Sequence, residues 1–316
     1  MNIETAEPLL EFILKKSSKR SISIRWVGGE PLVNTEIIEY ISKRLHDENI
    51  DFVSSMVSNG YLLNDEMILR AVNQWKLREI QITLDGTEEK YHAIKRYKNN
   101  DPNAYHKVLN NIDIFLNQGV YVRISLNLSE DNGEDLLHLI DSLNERFIDK
   151  KYLYIFCNTL FEKNGDKVKR RSDENEKQLR LMQIRIMNKI HEYGLYKMNL
   201  KRRFQMSVCN ANRGDSVTVL PNGMLGVCEH RLQDDYVGNL KNGELDAEVI
   251  KLYKMKTEDR KECLKCRAYL ECNRQKKCDA VTEWCSEEKK SALIRDLQLR
   301  MLYEYQKFLD KGENER

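Results

Sequence analysis

Five short runs of β-like residues punctuate the first half of the chain: "ISIRWV" (22–27), "DFVSSMV" (51–57), "EIQITL" (79–84), "VYVRISL" (120–126) and "YLYIFC" (152–157). Rich in β-branched and aromatic residues, they begin about thirty to forty residues apart, the length of a βα unit. Between them apolar residues recur at helical spacing: Ile37, Ile38, Ile41, Leu45; Tyr105, Val108, Ile112, Phe115; Leu136, Leu139, Ile140, Leu143. Asn64, just before "DEMILRAV", reads as an N-cap whose side-chain oxygen takes a free backbone NH. Residues 3–14 read as an amphipathic helix with Ile3, Ala6, Leu10 and Ile13 on one face, and a further helix is expected at 173–193. Repeated βα units predict an α/β fold with a parallel sheet, either a barrel or an open doubly wound sheet.

In both architectures ligands bind at the carboxyl ends of the strands, so the residues following each run are the candidates. Run one ends in Gly28-Gly29-Glu30-Pro31, run two in Ser58-Asn59-Gly60 and run three in "TLDG" (83–86). Run four carries Arg123 and leads to Asn127 and Asn132; run five ends in Cys157-Asn158. Turn chemistry alone enriches such loops in Gly, Asn and Asp. Four loops on one rim, supplying donors, acceptors and an Arg, predict a polar small-molecule site. Cys157 ends a buried-looking run and reads as a small apolar core residue.

Charge adds little to this picture. The 316 residues are 41% apolar, enough for true cores, and carry a net charge of only +2. The total therefore points to neither nucleic acid nor membrane as a partner. The basic runs "KVKRR" (167–171) and "KRR" (201–203) read as solvated faces. No apolar run has the length of a membrane span and the opening residues lack a basic, apolar leader, so a cytoplasmic location is expected.

Cysteine placement changes the picture more. Of eight cysteines, seven fall between Cys209 and Cys285: Cys209, Cys228, then Cys263-x2-Cys266-x5-Cys272-x5-Cys278-x6-Cys285. In a reducing compartment such density points to metal rather than to disulfides. A Cys-x2-Cys turn lets two thiolates reach one metal. Seven thiolates with His230 would make two zinc sites; thiolate-only ligation equally suits iron–sulfur clusters, dividing the seven as four and three.

"GGEPL", "SNG", "ITLDG" and "VRISLN" in this order, followed by the seven cysteines, resemble radical SAM enzymes that carry a C-terminal SPASM domain. The cysteine pattern matches up to Cys272, after which five residues stand where the family usually has three. The resemblance implies a partial (β/α)6 TIM-like barrel over residues 1–200, missing its first strand. It further implies a small Cys-rich SPASM domain over 201–290, and a C-terminal helix and tail over 291–316. It implies that the backbone of Gly28, Gly29, Glu30 and Pro31 receives the α-amino group of S-adenosylmethionine (SAM). Ser58 and Asn59 would line the adjacent rim, Thr83 and Asp85 would lie near the ribose, and Arg123 would meet the SAM carboxylate, with Asn127 ending the same strand. Cys209, Cys228 and Cys278 would hold one auxiliary [4Fe–4S] cluster, and Cys263, Cys266, Cys272 and Cys285 a second. Glu229, beside Cys228, would be the catalytic residue that takes a substrate proton.

The family's Cys-x3-Cys-x2-Cys, which binds the third, SAM-cleaving [4Fe–4S] cluster, is absent from the sequence. Three accounts are open: a start assigned to an internal Met, a truncated gene, or a paralogue without that cluster. As written, the chain is expected not to cleave SAM. The function implied is that of a maturase acting on a ribosomally made peptide or protein, forming a thioether or Cα crosslink, with a flavodoxin- or ferredoxin-type protein as reductant. The alternatives are a sulfatase-type formylglycine-generating maturase and a non-catalytic iron–sulfur or peptide-binding protein.

Overall fold

The computed structural model describes residues 1–17, 21–160, 163–164, 167–168, 173–196, 216–229, 236–254 and 264–269, with positions 287, 290–291, 293–295, 297–298, 301–302 and 305. The chain divides into two compact units, Ser17–Lys197 and a second formed by Met1–Lys16 with Met198–Arg316.

The first unit is built on five strands: β1 (Ile22–Trp26), β2 (Phe52–Ser58), β3 (Leu77–Thr83), β4 (Tyr121–Leu128) and β5 (Leu153–Thr159). They lie side by side in chain order, every neighbouring pair parallel. Each of the five runs seen in the sequence is one of these strands, with ends displaced by one or two residues. With α1 assigned to Ile3–Ser17, the connecting helices are α2 (Thr35–Asp47), α3 (Asp65–Asn73), α4 (Glu88–Lys95), α5 (Ala104–Asn117) and α6 (Gly133–Arg146); α7 (Asp173–Glu192) follows β5. Asn64 caps α3 as expected, accepting from the Met67 NH at 2.8 Å.

Alternation along the strands decides what each face of the sheet does. Ile80 and Ile82 of β3, Val122, Ile124, Leu126 and Leu128 of β4, and Leu153 and Ile155 of β5 point one way and are buried with the apolar stripes of the helices. The alternate positions on the other face mix polar residues, Ser55, Glu79, Gln81, Thr83, Arg123, Ser125 and Asn127, with Val57, Tyr121, Tyr154 and Phe156. A parallel sheet closed on both sides reads as continuous apolar strands. Here only the helix-covered face does.

The second unit contains α1 and an antiparallel sheet. The strands of this sheet are β8 (Thr218–Val219), β9 (Met224–Gly226) and β10 (Tyr236–Asn239), followed by α8 (Ala247–Lys254), whereas the antiparallel pair β6 (Lys163–Asn164) and β7 (Lys167–Val168) lies in the first unit. Phe12 of α1 joins Leu225, Val227, Val237 and Leu240 in one cluster, with Leu9 and Cys228 against it. Thus α1 packs by Leu9 and Phe12 against the antiparallel sheet of this unit. Cys209, Cys263, Cys272, Cys278 and Cys285 lie outside the described residues. The described positions between 287 and 305 are helical.

Candidate functional site

The carboxyl ends of β1 to β4 converge on a polar rim, wired in two halves. In the first half Glu30 is the hub. Its Oε1 caps the 3-10 turn Pro31–Asn34 by accepting from the Leu32 NH at 3.1 Å. The same oxygen accepts from Ser58 Oγ at 2.8 Å, and Oε2 accepts from the Asn59 NH at 2.8 Å. The loop after β1 is thereby tied to the end of β2. Ser58 Oγ in turn accepts from the Gly60 NH at 3.0 Å, and Asn111 Nδ2 donates to the Gly60 carbonyl at 2.9 Å. Gly60 holds φ +76, and a Cβ there would stand 3.2 Å from Ile82 Cδ1. Gly28 and Gly29 differ: a Cβ on either meets nothing within 4 Å. Both are exposed, and the Glu30 carboxylate ties their loop to the end of β2.

The second half centres on Asp85, only 7% exposed. Asn127 Nδ2 at the end of β4 donates to Asp85 Oδ1 at 2.9 Å, and Lys95 Nζ at the end of α4 pairs with Oδ2 at 2.9 Å. Asn132 Nδ2 donates to the Asn127 carbonyl at 2.9 Å and the Asp85 carbonyl at 3.3 Å, joining the β3 and β4 loops. The glycine of "LDG", Gly86, lets Asp135 close on this turn, where it accepts from the Thr87 NH at 2.9 Å; a Cβ on Gly86 would collide with that carboxylate. Tyr97 lies near both halves. Burial raises its phenol pKa, and the charges of Glu30 and Asp85 push the same way.

Most of the expected rim residues are therefore brought together. Gly28 to Pro31, Ser58 and Asn59 share one loop network; Asp85 and Asn127 share a hydrogen bond; Thr83, the last residue of β3, is in register with Ser125 of β4. Arg123 is not with them. It stands four residues before Asn127, roughly 13 Å along a strand, and donates to Glu79 Oε1 at 3.1 Å, away from the rim. Its guanidinium lies 5.0 Å from the Phe156 ring and 5.6 Å from the Tyr154 ring. Lys95, Tyr97 and α4 were not legible in advance, because "EEKYHAIK" buries only Tyr91 and has no apolar stripe.

In the other unit Cys228 and Cys266 are half-buried and Glu229 is exposed. Among the described residues no group of three or more His, Cys, Asp or Glu side chains is arranged to hold a metal. Cys157 is buried, its thiol pKa pushed up to about 12 by burial, as befits an inert core position. No helix of the described residues is long and apolar enough to cross a membrane.

The exposed backbone of Gly28 and Gly29 thus stands beside the half-buried Glu30 carboxylate at this rim. Residues 2–143 match the model of the Radical SAM superfamily. An uncharacterized protein of Methanocaldococcus jannaschii is 24% identical over 265 residues, 82% of this chain and 84% of its own length. The GTP 3′,8-cyclase of Clostridium perfringens (strain 13 / Type A) is 28% identical over 151 residues, 47% of this chain and 44% of the cyclase. The chain thus matches less than half the length of that enzyme. Among solved structures, native anSMEcpe with bound AdoMet superimposes with a TM-score of 0.64 at 16% identity, covering 99% of this chain and 90% of that one. Its complex with AdoMet and the Kp18Cys peptide gives 0.63 at 16% identity, over 99% and 91% of the two chains. The parallel five-stranded α/β fold is that of these SAM-binding proteins.

Proposed function

We propose that this chain binds SAM on the carboxyl rim of its parallel sheet and forms the core of a maturase that modifies a ribosomally made peptide or protein. The observation that carries the reading is the Glu30 carboxylate. Held by Ser58 and Asn59, it fixes the loop so that the bare carbonyls of Gly28 and Gly29 receive an ammonium group at close range. Asp85, backed by Asn127, faces the ribose. Within the radical SAM family, SAM supplies a 5′-deoxyadenosyl radical once its sulfonium bond is cleaved reductively.

The residues present do not fit the cluster that performs that cleavage. No Cys-x3-Cys-x2-Cys stands among the 316 residues, so these residues alone bind SAM without cleaving it. Seven cysteines remain for two auxiliary clusters, with Glu229 as the base beside Cys228 and a flavodoxin- or ferredoxin-type protein as electron donor. The choice of a peptide-type substrate rests on reach: the likeness to anSMEcpe, a maturase seen with a bound peptide, extends over 99% of the chain, whereas the cyclase match covers 47%.

Isothermal titration of SAM into the 316-residue chain tests the reading. Saturable binding, competed by S-adenosylhomocysteine and accompanied by no 5′-deoxyadenosine under strong reductant, is the expected result; absence of binding overturns it. Anaerobic reconstitution is expected to give about eight irons and about eight sulfides per chain, the content of two [4Fe–4S] clusters. Stoichiometric zinc in a colourless protein overturns that part.

A further inference from the structure

We propose that Lys95 is a positioning residue for nucleoside recognition, holding the Asp85 carboxylate so that it accepts the ribose hydroxyls of SAM. This rests on the reading that the rim binds SAM. A carboxylate as buried as Asp85 is costly unless it is paired and hydrogen-bonded. Its two oxygens are held from two different elements: Oδ1 by Asn127 on β4, Oδ2 by Lys95 on α4, each at 2.9 Å. The plane of the carboxylate is therefore fixed. Of its roughly four lone-pair sites two are taken, which leaves two acceptors side by side.

Charge selects what those acceptors take. A phosphate or carboxylate is repelled by Asp85, and a second cation is repelled by Lys95. A pair of neutral donors, such as the vicinal hydroxyls of a ribonucleoside, meets neither penalty.

Lys95 is delivered by an anchored element rather than by a free side chain. Tyr91, in the middle of α4, is fully buried and shares a 2.8 Å hydroxyl–hydroxyl hydrogen bond with Tyr97. Tyr97 stacks on Tyr61 with ring centroids 4.1 Å apart, and Tyr61 OH donates to Asp101 at 2.9 Å. Lys95 lies in the last turn of α4, where a helix favours a cation, and its side chain is only 17% exposed.

The test is calorimetric titration of the 316-residue chain with SAM, with its 2′-deoxyribose analogue and with adenosine. The wild type should prefer SAM over the analogue about tenfold, the worth of one hydrogen bond to a charged acceptor. Lys95→Met should weaken SAM about tenfold and abolish most of that preference, while Lys95→Arg keeps both. Should Lys95→Met fail to fold, Lys95→Gln carries the same expectation. Undiminished SAM affinity in the uncharged variants, a preference that survives in them, or tighter binding overturns the role of Lys95 and leaves SAM binding standing. Loss of SAM and adenosine binding equally between ribose and deoxyribose forms, without loss of preference, marks a merely structural lysine. A wild type that binds adenosine with this Lys95 dependence but not SAM overturns the proposed function alone; one that binds neither overturns both.

Discussion

The two halves of the rim use a carboxylate in opposite ways. Glu30 turns inward: both oxygens are spent on the Leu32 NH, Ser58 Oγ and the Asn59 NH, and what it offers outward is bare glycine backbone. Asp85 keeps its carboxylate at the site, steadied by one amide and one ammonium. The first half presents main chain and the second presents a side chain. A carboxylate in a strand-end loop is thus a brace or a ligand group according to how many of its lone pairs the neighbouring loop takes.

The sharpest way to break this contrast is Glu30→Ala. It removes three acceptor contacts at once and leaves the Asn59 NH without its partner, so a loss of about 3 kcal/mol of stability is expected, read from urea unfolding. If Glu30 were a ligand group rather than a brace, stability would hold and only binding would fall. Asp85→Asn should cost less, about 1–2 kcal/mol, because Asn127 can still be met while Lys95 is left without a carboxylate. Its SAM affinity should nonetheless fall at least about tenfold, reversing the order of the two effects seen for Glu30.

Gly29→Ala separates fold from binding altogether. With nothing within 4 Å of the new Cβ, stability should change by no more than about 0.5 kcal/mol. SAM binding should weaken severalfold if the ligand lies over this backbone; unchanged affinity would remove the loop from the site. The smallest effect concerns the aromatic anchor behind Lys95. Burial, and then the Glu88 charge, push the Tyr105 phenol up to about 12, and burial followed by its bond to Tyr97 raises Tyr91 further. Folded values above the ordinary 10.0 mean that stability is intact below that pH and is lost as pH rises from there through the folded values. Urea midpoints at about pH 9 and about pH 11 should therefore differ, and Tyr91→Phe should narrow the difference.

How much of this was legible differs along the chain. The five strands announced themselves because their outward positions alternate with large apolar residues, and Asn64 announced α3 through its cap. The "GGEP", "SNG" and "LDG" loops were legible as loops with unusual chemistry. The position of α1 was not, since an apolar stripe on residues 3–14 says that a face is buried and not against what: Phe12 proves to belong with Leu225 and Val237. Nor was α4, whose eight residues bury a single side chain.

The chain's sequence by itself determined the parallel α/β order, the helix faces and the identity of the rim loops, because these follow from local periodicity and turn chemistry. Only the tertiary structure decided which polar groups meet at the rim. Arg123, on the right strand for a rim residue, is taken by Glu79 and two aromatic rings, while Lys95, ten residues beyond Asp85, returns to meet it. Pairing between charged side chains depends on distances across strands and helices, and no spacing along the chain encodes them.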